Sequence, residues 1–199
     1  MAMRELKYIK QLKPFLKVPF FTAEEAEKQN VPRHALAYLV KRGDLERIYP
    51  GTYRFSTYEP KVEFQWENLG LIAASIHEGV ICLISALVFY DLTDQVMRET
   101  WIAVPHKSHL PKRPNTRIIR MRNIDLGKTR ITLGEYNVQI FDRERCIIDA
   151  FRILSKEIAI KALQRYFQNP AAKPDPKKLG AYAKKLRINI TPYILSNTT

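Results

Sequence analysis

From Thr22 to Phe55 the spacing of apolar positions changes twice, and the changes divide the stretch into elements. Thr22 with Glu25 three residues on forms a capping box, and Phe21 before it can act as a hydrophobic staple, which predicts a helix over about 23–29. That helix stops at Gln29-Asn30-Val31, and Pro32 suits the first turn of the next, where no backbone N–H is required. At about 100° per residue, Ala35, Leu36, Leu39 and Val40 share one arc of this second helix, which must pack inward. The opposite arc is His34, Ala37, Tyr38 and Lys41, flanked by Arg33 and Arg42. Gly43 closes the helix as a left-handed cap. The period then drops to two over 45–49 and 52–55, around the turn dipeptide Pro50-Gly51, which predicts a hairpin. Helix, turn, helix, hairpin is the order of a winged helix-turn-helix.

On either side of this stretch the pattern is more mixed. Leu6, Ile9 and Leu12 mark one side of a helix over 3–13 that Pro14 ends, and residues 15–21 read as extended or irregular. Tyr58-Glu59-Pro60 is the predicted domain boundary. Beyond it, 62–77 is helical, with Phe64, Leu69, Ile72, Ala73 and Ile76 as its buried positions and Gly79 at its end. Residues 80–83 form a short buried strand or apolar turn, and Ser85 opens a helix that Leu92-Thr93-Asp94 closes. A strand over 100–104 ends at Pro105. A polar, proline-rich basic loop spans 106–116. Residues 117–121 and 131–141 alternate as strands, the second folded at Gly134-Glu135-Tyr136-Asn137. Asp142 caps a helix over 143–155, another follows over 156–167, Pro170, Pro174 and Pro176 interrupt, and Asp175 opens a last helix to Leu186. The prediction is an α+β chain: a winged helix-turn-helix over 1–60, then a mixed α/β domain over 61–199.

Charge changes the picture most. The chain carries 33 Lys and Arg against 20 Asp and Glu, a net of +13, which favours a polyanionic partner. The excess is unevenly placed: +4 over residues 1–60, −4 over 61–105, +7 over 106–130, −1 over 131–155 and +7 over 156–187. Most of it therefore lies downstream of the helix-turn-helix. No apolar run approaches the roughly 18–20 residues of a membrane span, and the first ten residues lack the pattern of a signal peptide. Cys82 and Cys146 sit in apolar runs as buried free thiols. These features together predict a cytoplasmic protein.

Candidate chemistry is thin. There is no glycine-rich phosphate loop, no H-E-x-x-H and no Cys/His spacing for zinc, so neither metal nor cofactor is expected. His106 and His109 form an H-x-x-H explained by loop polarity. Ser85, His77 and Asp91 lack a nucleophile elbow. Asp142 and Asp149 stand beside Arg143 and Arg145; they read as ion-pair partners rather than nuclease acids, with Arg145 and Asp149 paired along a helix or facing a partner subunit. The expectation is a protein that is not an enzyme. Lys112, Arg113, Arg120 and Arg122 are candidates for phosphate contact, with Arg120 and Arg122 on one face of a strand, and the basic tail (Lys173, Lys177, Lys178, Lys184, Lys185, Arg187) is a second such segment.

The motifs F-F-T-A-E-E-A and L-V-K-R-G-D-L-E-R-I-Y-P-G-T-Y-R-F resemble the N-terminal domain of the AbiEi family. I-S-A-L-V-F-Y-D-L-T-D (84–94), W-I-A-V-P (101–105) and F-D-R-E-R-C-I-I-D (141–149) extend the resemblance over most of 18–150, in the family's order. Two positions depart from it: Val31-Pro32 replaces a serine cap, and Cys146 replaces threonine. The resemblance implies a DNA-binding repressor of its own operon and an antitoxin of a type IV toxin–antitoxin (abortive-infection) system. It would counter a nucleotidyltransferase-like toxin without stable contact. A stand-alone regulator and a nucleic-acid-processing enzyme are the alternatives. The expected partner is double-stranded operator DNA. Arg33, His34, Tyr38, Lys41 and Arg42 would make the contacts on the helix, and Arg47 and Arg54 those on the wing.

Overall fold

The computed structural model describes residues 2–108, 110, 112–169 and 173–195, leaving aside the side chains of 2–6 and 195. The chain divides into two units: residues 1–71 with 132–136, and residues 72–131 with 137–199. Both mix helices and strands.

In the first unit, α1 (Ala2–Gln11) gives way at Leu12 to a 3₁₀ turn over Lys13–Phe15, so Pro14 lies inside a second turn rather than at the helix end. Phe21–Thr22, at the end of the segment expected to be extended or irregular, is extended. It forms a short strand β1, pairing antiparallel with Tyr53 and Thr52, a two-residue element too brief to leave a periodicity. The capping box of α2 (Ala23–Lys28) is present in full. The Thr22 N–H donates to Glu25 Oε2 at 2.7 Å, and the Glu25 N–H to Thr22 Oγ1 at 3.2 Å. Asn30, at φ 60, then turns the chain: its N–H donates to Glu27 O, and that of Val31 to Ala26 O. This is the Schellman closure, with buried Ala26 and Val31 making its apolar contact.

Helix α3 (Arg33–Arg42) closes the same way around Gly43 at φ 86. Pro32 stands at its N-cap, one position earlier than expected. Strands β2 (Leu45–Tyr49) and β3 (Thr52–Phe55) complete a sheet of order β1-β3-β2. The core gathers Leu12, Phe21, Val31, Leu36, Leu39 and Phe55.

Helix α4 (Phe64–Ala74) buries Leu69, Ile72 and Ala73. Phe64, expected inside, is 86% exposed because it sits at the helix's first position, ahead of the apolar run. Within the first unit, buried Glu67 of this helix accepts from Tyr136 at 2.5 Å, and Gly70 lies where a Cβ would come 2.6 Å from the Tyr136 ring.

A five-stranded sheet has the order β6-β5-β4-β8-β7, and all of it except residues 132–133 and 136 is assigned to the second unit. Val80–Ile81 is strand β4, followed by helix α5 (Leu83–Phe89), β5 (Thr100–Pro105), β6 (Thr116–Met121), β7 (Lys128–Leu133) and β8 (Tyr136–Phe141). Strand β4 runs parallel to β8 and antiparallel to β5, which is parallel to β6. The β7–β8 turn is Gly134-Glu135 alone, with Gly134 at φ 58; Tyr136 and Asn137 already belong to β8. Helices α6 (Arg143–Ile153), α7 (Lys156–Gln168), α8 (Pro176–Leu186) and α9 (Thr191–Leu195) follow, and α6 packs against α5, α7 and α8. Pro170 lies outside the described residues.

Candidate nucleic-acid interface

Helix α3 has two faces of different chemistry. Ala35, Leu36 and Leu39 are buried against the core, and Val40 is half-buried. Arg33, His34, Ala37, Tyr38, Lys41 and Arg42 are exposed on the other side. Tyr38, 44% exposed, is a large aromatic left in solvent. Arg33 pairs with Glu27 at 2.9 Å, its side chain still 68% exposed, so the pair is weak and readily exchanged. Arg42 is held by Asp44 at 2.5 and 3.1 Å. His34 and Lys41 form no ion pair with the described residues. Helix α3 packs on β2, which carries exposed Arg47.

Arg54 is placed differently. Its side chain, only 20% exposed, donates to Glu46 at 2.9 Å and to Glu67 at 3.5 Å. This cation is turned inward and tied to the Glu67–Tyr136 pair. The one signal for such a network in the sequence is a glutamate inside the apolar run of α4.

Among the downstream candidates, Lys112 is exposed. Arg113 instead donates to Ser75 Oγ at 3.1 Å and Ser75 O at 3.2 Å, which fastens its own loop. Arg120 and Arg122 do not share a strand face, because β6 ends at Met121. They line one wall of a cleft of about 580 Å³, whose other walls come from α6 and the end of α8. His106 also lines it, while His109 lies outside the described residues.

The residues considered for catalysis are not assembled. Ser85 does not begin a helix. Leu83, at φ 47, turns the chain sharply after β4, α5 starts there, and Ser85 Oγ accepts the Trp101 N–H at 2.9 Å in the buried interior. His77 and Asp91 are exposed, and Asp91 pairs with Arg165 at 3.7 Å. Among the described residues no three His, Cys, Asp or Glu side chains are grouped to hold a metal ion.

The acids of 142–149 are occupied. Asp142 caps α6 and also meets Lys178 and Tyr182, both at 3.0 Å. Glu144 meets Lys178 at 2.9 Å and Tyr166 at 2.5 Å. Arg145, fully buried, donates to Asp149 at 2.7 Å and to the carbonyls of Asn123 and Leu126 at 2.7 and 2.8 Å. The intrahelical pair expected on a partly buried face is thus the centre of a buried network fixing the 121–126 segment to α6. Burial pushes the Cys82 and Cys146 thiols well up, which leaves both as inert neutral groups.

Among the described residues no helix is long and apolar enough to cross a membrane. No curated protein matches the chain. The motifs at 84–149 lie beyond the segment that a family model covers. That segment is residues 11–56, α2 to β3 with what precedes them, and over it the chain matches the family described as transcriptional regulators, AbiEi antitoxin.

Proposed function

We propose that the protein is a DNA-binding transcriptional repressor and the antitoxin of a type IV toxin–antitoxin pair, with residues 1–60 as a winged helix-turn-helix and 61–199 as the domain it carries. The observation that carries this reading is the exposed face of α3: donors and one aromatic on a ten-residue helix, its other face packed on the core, inside the segment that matches the regulator family. A helix that long, roughly 15 Å, fits a major groove about 12 Å wide. Arg33, His34, Tyr38 and Lys41 then reach base edges and phosphates, Arg42 the flanking backbone, and Arg47 of β2 the adjoining phosphates. Lys112 adds a phosphate contact. Arg54 and Arg113 serve the fold instead, because their guanidinium groups already have partners.

The operator in this reading lies upstream of the protein's own operon, so the protein works in the cytoplasm. Its antitoxin role is exerted on a nucleotidyltransferase-like toxin encoded beside it, without a stable complex. Binding of the full chain to that upstream duplex tests the first part. Lys41→Ala and Arg33→Ala should each weaken it by about 1–3 kcal/mol with the melting temperature unchanged; undiminished affinity in both variants removes α3 from the interface. Co-expression tests the second part. Rescue of growth from the neighbouring toxin supports it, and continued arrest leaves a stand-alone regulator.

A further inference from the structure

The cleft in the second unit is built unlike a surface that merely keeps a basic protein soluble. Arg120 and Arg122 reach it from the end of β6, Arg152 from α6, and Lys185 and Arg187 from the end of α8. Among the described residues no carboxylate lines it. Asp149, the carboxylate that pairs with two of its lining residues, is buried and held by Arg145 and Arg152, at 2.7 and 2.6 Å. Among the described residues Arg120 donates to the Ser108 carbonyl alone, and Arg122, Lys185 and Arg187 form no ion pair.

The backbone fixes where Arg187 starts. It occupies the left-handed slot that closes α8, at φ 59 and ψ 43, with its N–H on Lys184 O and that of Ile188 on Ala183 O. The same closure uses Asn30 after α2 and Gly43 after α3. An arginine there costs backbone strain that glycine would relieve. Beside His106 and Arg145, an apolar patch is formed by Met121, Leu186 and Ile153, the last of which is 40% exposed. Asn123 adds an amide that both donates and accepts.

We propose that this cleft binds a nucleoside polyphosphate. The cations hold the phosphate chain, the apolar wall takes the base, and Asn123 meets the base edge. A volume of about 580 Å³ falls within the range of small-molecule sites. A recess walled on three sides admits a flexible phosphate chain, whereas a duplex presents a convex rod to an open face.

Calorimetric titration of the full chain with ATP and with GTP, in the absence of DNA, tests this. Saturable one-to-one binding of at least one nucleotide is expected, weakened about tenfold or more by Arg187→Gly and by Arg122→Ala. Arg187→Gly should leave the melting temperature equal or higher, since glycine relaxes the cap. Absence of saturable binding, or affinity untouched by both variants, overturns the site. Inorganic triphosphate binding as tightly as the nucleotides overturns the assignment of the apolar wall to a base. Because no DNA is present, failure here is separate from failure of operator recognition, which Lys41→Ala reports.

Discussion

Arginine plays opposite parts at different positions of this chain, and surroundings decide which. Arg145 has no contact with solvent; its charge is met by Asp149, and its other nitrogens donate to two backbone carbonyls and the Met121 sulfur. Removing one partner leaves the other charge buried and unpaired. Asp149→Ala should therefore cost about 3–5 kcal/mol of stability, read as a lowered denaturant midpoint at unchanged m-value; a loss below 1 kcal/mol would show the network to be dispensable. Lys41 is the reverse case, exposed and without an ion pair among the described residues, so its truncation should be silent in unfolding and visible only in DNA binding. The spacing of Arg145 and Asp149 was legible as an intrahelical pair. Its burial was not, because the carbonyls that complete it belong to Asn123 and Leu126, 22 and 19 residues away. Arg54 defeated the sequence for the same reason: alternation put it on a strand, but its partner Glu67 comes from another element.

Local rules did best where an element is closed by its own neighbours. The capping box of α2, the left-handed close of α3 at Gly43 and the Asp142 cap of α6 all rest on contacts within five residues, and all were readable. Thr22→Ala should cost about 1 kcal/mol by loss of that cap, measurable in the same unfolding experiment; no change would mean that Phe21 and its strand pairing alone fix the helix start. Elements whose identity depends on a distant partner were missed, as with β1, which exists only through β3. The β7–β8 turn carries a pH signature. Lys61 and, secondarily, the Tyr58 hydroxyl hold the Glu135 carboxylate below its ordinary value of 4.5. A depressed folded value contributes stability that is present above pH 4.5 and lost as pH falls through the folded value. Glu135→Gln should thus flatten the acid limb of stability against pH, and an unchanged limb would show that the contact adds nothing.

For the molecule as a whole, the charge ledger remains the broadest guide. The first 60 residues hold a net of only +4 out of +13, yet they contain the segment matching the regulator family. The excess downstream was legible as a number but not as a shape. Arg113 turned out to fasten a loop, while Arg120, Arg122, Lys185 and Arg187, distant in sequence, line one cleft. In the proposed division of labour, Arg33, Lys41 and Arg47 contact DNA, and part of the downstream excess is directed at a smaller anion. The most direct test of the central claim compares the full chain on two labelled duplexes at physiological salt, one from upstream of its own operon and one of scrambled sequence. The account predicts affinity for the upstream duplex at least about 10³-fold tighter, with that preference reduced in Lys41→Ala. Equal affinity for the two duplexes would contradict it.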